Sequence, residues 1–292
     1  STTLRQGLPS VPQPDLGNGI IPLPANIGTT FADNGNTVRG YVQSWNFTME
    51  KSWGSWITSA GYVATRSVNQ LASLNQNWAP IDTGNPGQVL RQKFGRNAST
   101  NMLGSLGTAK YDSLQLRGER RFAGGYQIGL SYTWGHARGY ASESSPSSPP
   151  IAIPWLYGLT YGPLSQDIRH NAQATWVVEL PFGRNRKWVN SGLASTLLGG
   201  WQMNGLFSAY TGQPFTVSAS GAALNAPGSS QRADCLAPAQ KIGTVNEWLS
   251  SSSFAPVLDP RFGTCGSNSL RGPGLLNLDL GIFRKFQVSE RF

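Results

Sequence analysis

Large apolar residues alternate with small or polar ones, at a period of two, along most of the readable chain. Near the N-terminal end, Arg39, Tyr41, Gln43, Trp45, Phe47 and Met49 form a parity that is mostly large and apolar, and Val38, Gly40, Val42, Ser44, Asn46 and Thr48 one that is small and partly polar. Successive side chains of a pleated strand point to opposite sides, so this period predicts strands with two unlike faces. The run 55–66 repeats it, with Trp56, Ala60, Tyr62 and Ala64 together. The clearest case is a hairpin. Leu114, Leu116 and Phe122 alternate with Ser113, Gln115, Arg117, Glu119 and Arg121, and Ala123-Gly124-Gly125 supplies the turn. On the return, Tyr126, Ile128, Leu130, Tyr132 and Trp134 face one way, and Gln127, Gly129, Ser131 and Thr133 the other.

Three more runs follow. Ala172, Ala174, Trp176, Val178 and Leu180 stand against Arg169, Asn171, Gln173, Thr175 and Glu179. A less regular run carries Trp201, Met203, Phe207 and Ala209, and Leu276, Leu278, Leu280 and Ile282 alternate with Asn277, Asp279 and Gly281. The predicted strands are 38–50, 55–66, 109–122, 126–138, 167–180, 200–211 and 274–286, an all-β chain. Residues 1–36 show no period and read as a loop or linker ahead of the strand-bearing part, 37–292. Connections alternate between tight breaks (51–54, 123–125, 181–199) and long loops near 67–108, 139–166 and 212–272.

A half-buried sheet in a soluble sandwich also alternates. These strands, however, exceed the soluble mode of about five to six residues and suit a tilted crossing of ~25–30 Å of lipid. The apolar parity is aromatic near its ends, as an interfacial girdle requires. The other parity carries Arg, Glu, Gln and Asn, which a dry core would not accept but a wet lumen would. In hydrocarbon every backbone donor needs a partner, so such strands belong to a closed, antiparallel up-and-down transmembrane β-barrel. Seven strands are odd, whereas bacterial single-chain barrels use even numbers, so the chain is expected to be a segment of a larger barrel.

Side-chain expectations follow from parity. Lumen-facing candidates are Gln115, Arg117, Glu119, Arg121, Arg169, Gln173 and Glu179. Lipid-facing or girdle candidates are Trp56, Leu114, Leu116, Tyr126, Ile128, Leu130, Tyr132, Trp134 and Trp176. Arg120 falls on the lipid parity beside a turn, where it is expected to snorkel towards headgroups.

Composition narrows the chemistry. With 35 Gly and 19 Pro in 292 residues the chain is turn-rich, and ten Trp argue against disorder. No run of about eighteen apolar residues marks a spanning helix. A balance of 23 Lys+Arg against 14 Asp+Glu permits contact with nucleic acid or anionic lipid. The basic clusters Arg184, Arg186, Lys187 and Arg284, Lys285 lack an interleaved stacking platform, so contact with lipid headgroups at the inner rim or plain solubility is expected, and nucleic acid is not. His136 and His170 are too far apart for a paired-His zinc motif. No metal, cofactor or catalytic residues are expected, and the chain is not read as an enzyme. Cys235 and Cys265 have neither zinc nor CxxC spacing. They are a candidate disulfide, formed in an oxidising compartment, and the loop they close is a candidate outer gate. The stretch SESSPSSPP (142–150) reads as mobile surface chain.

Four blocks carry a family resemblance: YDSLQLRGERRFAGGYQIGLSYTWGHA, DIRHNAQATWVVELPFG, LLGGWQMNGLFSAYTGQPFTV and RGPGLLNLDLGIFRKFQVSERF. In this order they resemble successive strands of a TonB-dependent receptor, of the Oar-like type common in acidobacteria, over 38–292. The resemblance implies a C-terminal segment of a barrel of about 22 strands with a plugged lumen, set in the bacterial outer membrane. It also implies energised uptake of a large or scarce solute, in contact with outer-membrane lipid, a plug domain and TonB. Neither the plug nor the TonB-contacting segment has a counterpart here, and Phe292 falls where the family runs on into further strands. The alternatives are a passive outer-membrane channel or a secreted or surface β-protein (adhesin or carbohydrate-binding) without transport. The solute is unspecified: siderophore, saccharide and peptide all stay open.

Overall fold

A computed structural model describes residues 25–33, 35, 38–140, 149–184 and 186–285. Six long strands and two short ones come first along the chain: β1 (Thr29–Ala32), β2 (Tyr41–Trp53), β3 (Trp56–Asn75), β4 (Thr100–Ala123), β5 (Tyr126–Gly139), β6 (Gly162–Pro163), β7 (His170–Glu179) and β8 (Trp201–Tyr210). Four short strands, β9 (Pro214–Phe215), β10 (Asp234–Cys235), β11 (Phe254–Ala255) and β12 (Leu270–Arg271), precede the last long one, β13 (Leu275–Arg284). The helices α1 (Val89–Phe94) and α2 (Gly192–Leu198) are short.

The main sheet has the order β13-β8-β7-β5-β4-β3-β2, and every neighbouring pair in it is antiparallel. Each long strand lies beside its sequence neighbour, as an up-and-down wall requires. The seven predicted long strands are therefore all present and in sequence order.

Cross-strand register decides what each face looks like. One row runs Met49, Ala60, Leu116, Tyr132, Ala172, Ala209, Leu276, apolar or aromatic in every strand. One step along lies the row Glu50, Ser59, Arg117, Ser131, Gln173, Ser208, Asn277, polar in every strand. Opposed residues share a face, so the parity read along each strand continues across the whole wall. The apolar face is bare: Phe47, Met49, Leu276, Leu280 and Ile282 are all exposed. An apolar surface of this extent, uncovered by protein, needs a nonaqueous surrounding.

The buried apolar cluster lies elsewhere. Ile151, Ile153, Leu224 and Ala226 pack with Trp78, Ile81, Leu156 and Phe262. All eight belong to the connections 76–99, 140–169 and 211–274. The three long loops thus fold together into a cap with its own core at one end of the wall.

Several boundaries differ from the sequence reading. Thr29–Ala32, inside the supposed linker 1–36, pairs parallel with β4 from Thr29↔Thr100 to Ala32↔Leu103. The loop expected near 67–108 is shorter, because β3 has 20 residues and β4 has 24. Their outer parts carry register shifts between Ser67 and Ala72, with Asn69 at φ 55°. A bulge reverses parity locally, and past the lipid both faces can be polar, so the alternation fades while the pairing continues. The loop expected near 212–272 contains the ladders β10–β11 and β9–β12. The connection 180–200, taken as tight, holds α2 and compares in length with 76–99. Residues 142–148 of SESSPSSPP lie outside the described residues.

Candidate functional site

The polar face, the rims of the apolar face and the loop cap make up the functional surface. On the polar face, Gln115, Arg117, Glu119, Gln173 and Glu179 share one side by register. Arg117 donates to Glu119 at 2.7 Å along the same strand, and Arg186 pairs with Glu179. Arg121 lies past the last regular β4–β5 pairing, with its amide on the Ser55 carbonyl at 2.9 Å. A hollow of about 460 Å³ lies here, lined in part by Gln127, Thr175, Asn204 and Asp279. A second, of about 290 Å³, lies beside Arg117, Glu119 and Gln173. The first is also lined by Val177, Leu206 and Leu280, so polar and apolar groups mix there; both are open, and neither holds a nucleophile–base pair or, among the described residues, a group of metal-binding side chains.

Trp56, Leu114, Leu116, Tyr126, Ile128, Leu130, Tyr132, Trp134 and Trp176 all share the opposite side. This face ends in aromatic and cationic pairs. At the cap end Arg66 lies 5.1 Å from the Trp45 ring and binds Asp112 at 2.7 Å, while the Tyr62 hydroxyl donates to Asp112 at 2.5 Å. At the turn end Lys51 lies over Trp53 (4.7 Å), Arg120 over Tyr126 (3.4 Å) and Arg284 over Trp201 (5.6 Å). From Trp45 to Trp53, and from Trp134 to Tyr126, the strand advances roughly 27 Å at ~3.4 Å per residue. With strand tilt that fits a thin hydrocarbon layer.

Arg120 does not snorkel as expected. It is 9% exposed and donates to the carbonyls of Ala123 and Tyr126 at 2.6 and 2.7 Å. Closing the hairpin turn satisfies the guanidinium locally, so it has no need of a headgroup. On the same side, Trp201 Nε1 donates to the Leu197 carbonyl at 3.1 Å, and Arg284 donates to the carbonyls of Thr196 and Gly199. Both residues are on the apolar parity, so they hold α2 on that side of the wall, with Leu193 and Leu197 exposed.

The cap is fastened at a carboxylate that sequence reading did not single out. Asp167 is 1% exposed. Its Oδ1 accepts the Ala137 amide at 2.5 Å, and its Oδ2 pairs with Arg271. Arg271 also donates to the Asp167 carbonyl at 2.7 Å and the Gly212 carbonyl at 3.1 Å. His136 and Arg169 approach the same oxygen at 3.8 and 3.7 Å. Arg169, expected on the lumen wall, therefore sits before β7 in the seam between wall and cap. A run of period two, extended one residue too far, signals a strand face, and nothing in a local pattern could show that Asp167 is held in the seam by Arg271, far away in sequence.

Cys235 and Cys265 are joined as a disulfide, with Cα atoms 5.0 Å apart. Beside it Arg261 grips both Asp234 oxygens at 2.8 and 2.7 Å, and the Thr264 amide adds a bond at 3.0 Å. The Arg261 guanidinium and this amide hold the Asp234 carboxyl down at about 2.

A wall with one bare apolar face, one polar face, aromatic rims and long loops gathered at one end is the arrangement of a membrane barrel. The whole chain, residues 1–292, matches the family described as outer membrane beta barrel domain. The chain belongs to that family. No curated protein matches it. This outer membrane beta barrel domain resides in the bacterial outer membrane, its apolar face against lipid. The three-loop cap then faces the exterior, and the end with the two-residue turns 54–55 and 124–125 and the α2 connection faces the periplasm.

Proposed function

We propose that this outer membrane beta barrel domain is wall and cap of a TonB-dependent receptor that takes up a large or scarce solute. The observation that carries the reading is the cap: three long loops share one apolar core, a buried ion pair ties two of them together, and a disulfide braces the longest. A preorganised binding surface loses less on ordering and so holds a dilute ligand more tightly. Tight capture suits an energised receptor, whereas a conducting pore needs binding weak enough for release. The order of the four sequence blocks resembling TonB-dependent receptors supports the same reading. A plug and TonB would act as partners from outside these residues, and the chain itself carries out no catalysis.

The test uses the full-length protein in cells offered ferric siderophores, oligosaccharides and peptides. Accumulation of one class that stops on dissipating the proton-motive force or deleting TonB, with surface binding intact, is the expected result. Accumulation that survives both treatments would instead establish a passive channel. The open hollow beside Gln127, Asn204 and Asp279 favours that second reading.

A further inference from the structure

The lipid-facing surface does not stop at the outer ends of β7 and β8. Residues 241–249 form a hairpin of their own, bridged at Lys241↔Leu249. The amides of Ile242 and Gly243 donate to the Trp248 carbonyl at 3.0 and 3.1 Å, and Thr244 and Glu247 close the turn. Trp248 pins the hairpin to β12 within the cap, its Nε1 donating to the Arg271 carbonyl at 2.8 Å. Arg271 is in turn fixed by buried Asp167.

Between hairpin and wall lies a hollow of about 710 Å³. Its strand lining includes His170, Ala172 and Ala209, all on the apolar parity, with Tyr210 and Leu275 at the strand ends. Tyr210 and Leu275 belong to the row of Asn171, but the polar-face residues deeper in the wall, Gln173 and Ser208, do not line it. The hollow therefore opens on the lipid side, level with Trp134, the cross-strand partner of His170. The hairpin tip bears Val245, fully exposed, and Ile242, also exposed. Apolar side chains at the tip of an overhanging hairpin belong in a membrane interface rather than in water.

The polar groups at this hollow are few. The Lys241 ammonium lies 4.4 Å from the centre of the Trp248 ring and makes no ion pair among the described residues. His170 uses Nδ1 with the Tyr132 hydroxyl at 2.8 Å, which leaves Nε2 for a ligand. The Arg271 guanidinium is committed to Asp167 and Gly212, so Lys241 carries the available charge. A cation beside a mainly apolar recess fits an amphiphile with an anionic head. A free anion would gain nothing from the apolar lining.

We propose that this hollow binds a phosphate-bearing lipid of the outer leaflet with a net anionic head, its phosphate on Lys241 and its apolar part against Ala172, Ala209 and Trp248. The site lies outside the polar wall, so it stands whether or not the barrel transports anything.

The test is native mass spectrometry of the full-length protein, extracted from membranes in mild detergent. The probes are lipopolysaccharide, phosphatidylethanolamine and inorganic phosphate. Retention of one lipopolysaccharide is expected. Lys241→Glu should weaken it about tenfold, as loss of one charge-assisted contact implies, and Lys241→Arg should preserve it. Trp248→Ala should also weaken it, and the Lys241 pair decides the matter if that variant fails to fold. Equal retention by Lys241→Glu and the parent would overturn the proposal. So would equal retention of zwitterionic phosphatidylethanolamine, or displacement of the lipid by inorganic phosphate.

Discussion

Arg271, in the short strand just before β13, closes a buried ion pair on Asp167, which lies 104 positions earlier in the chain. The pair ties the longest loop to the outer end of β5, because Asp167 also holds the Ala137 amide. Replacing Asp167 by Asn would leave Arg271 without its counter-charge in a buried seam. Breaking a buried pair from one side costs about 3–5 kcal/mol. The expected outcome is rapid protease cleavage within 211–274 while the strands stay protected. Limited proteolysis in membranes, followed by peptide mapping, reads this directly. Cleavage no faster than in the parent would show that the loop core alone holds the cap.

Parity makes a second prediction. Leu130 and Ser131 are adjacent, yet one lies on the apolar face and the other on the polar face. Leu130→Arg should destabilise the barrel by about 2–4 kcal/mol, the cost of a cation near the bilayer midplane, and Ser131→Arg by little. Denaturant titration of protein folded into vesicles compares them. Cysteines at Leu116, Leu130 and Trp176 should resist a water-soluble thiol reagent that labels Gln115, Ser131 and Gln173. Similar labelling of the two sets would remove the membrane orientation.

Reduction of the Cys235–Cys265 bond should loosen the cap without unfolding the wall. The bond spans 30 positions, and closing a loop of that size stabilises by about 3–4 kcal/mol in the chain-entropy model. The test follows hydrogen exchange with and without reductant. Faster exchange is expected at 234–265, with β4 and β5 unchanged.

The Asp234–Arg261 clamp sets an acid limit on the same region. Its carboxyl is held at about 2, below the usual 3.8. A depressed folded value contributes stability that is complete above the unfolded value and lost as pH falls through the folded one. Exchange protection around 234–264 should therefore hold at pH 5 and decline between about pH 3.8 and pH 2. Asp234→Asn should flatten that decline. An unchanged profile in this variant would assign the acid sensitivity to other groups.

The sequence by itself determined the two-faced wall. A strand's side chains alternate whatever surrounds them, so the order of the long strands and the membership of each face could be read from period two. Leu116 and Gln115, or Leu130 and Ser131, needed no coordinates to be told apart. The tertiary structure alone decided the rest. It carried β3 and β4 past the lipid, where bulges and two polar faces hide the alternation. It gathered Trp78, Ile153 and Leu224 from three loops into one core, placed Arg169 in the seam beside Asp167, and set α2 against the lipid side through Trp201 and Arg284. The loop core and the Asp167–Arg271 seam join distant stretches that have no period of their own, so burial selects them only once the wall has brought the loop ends together.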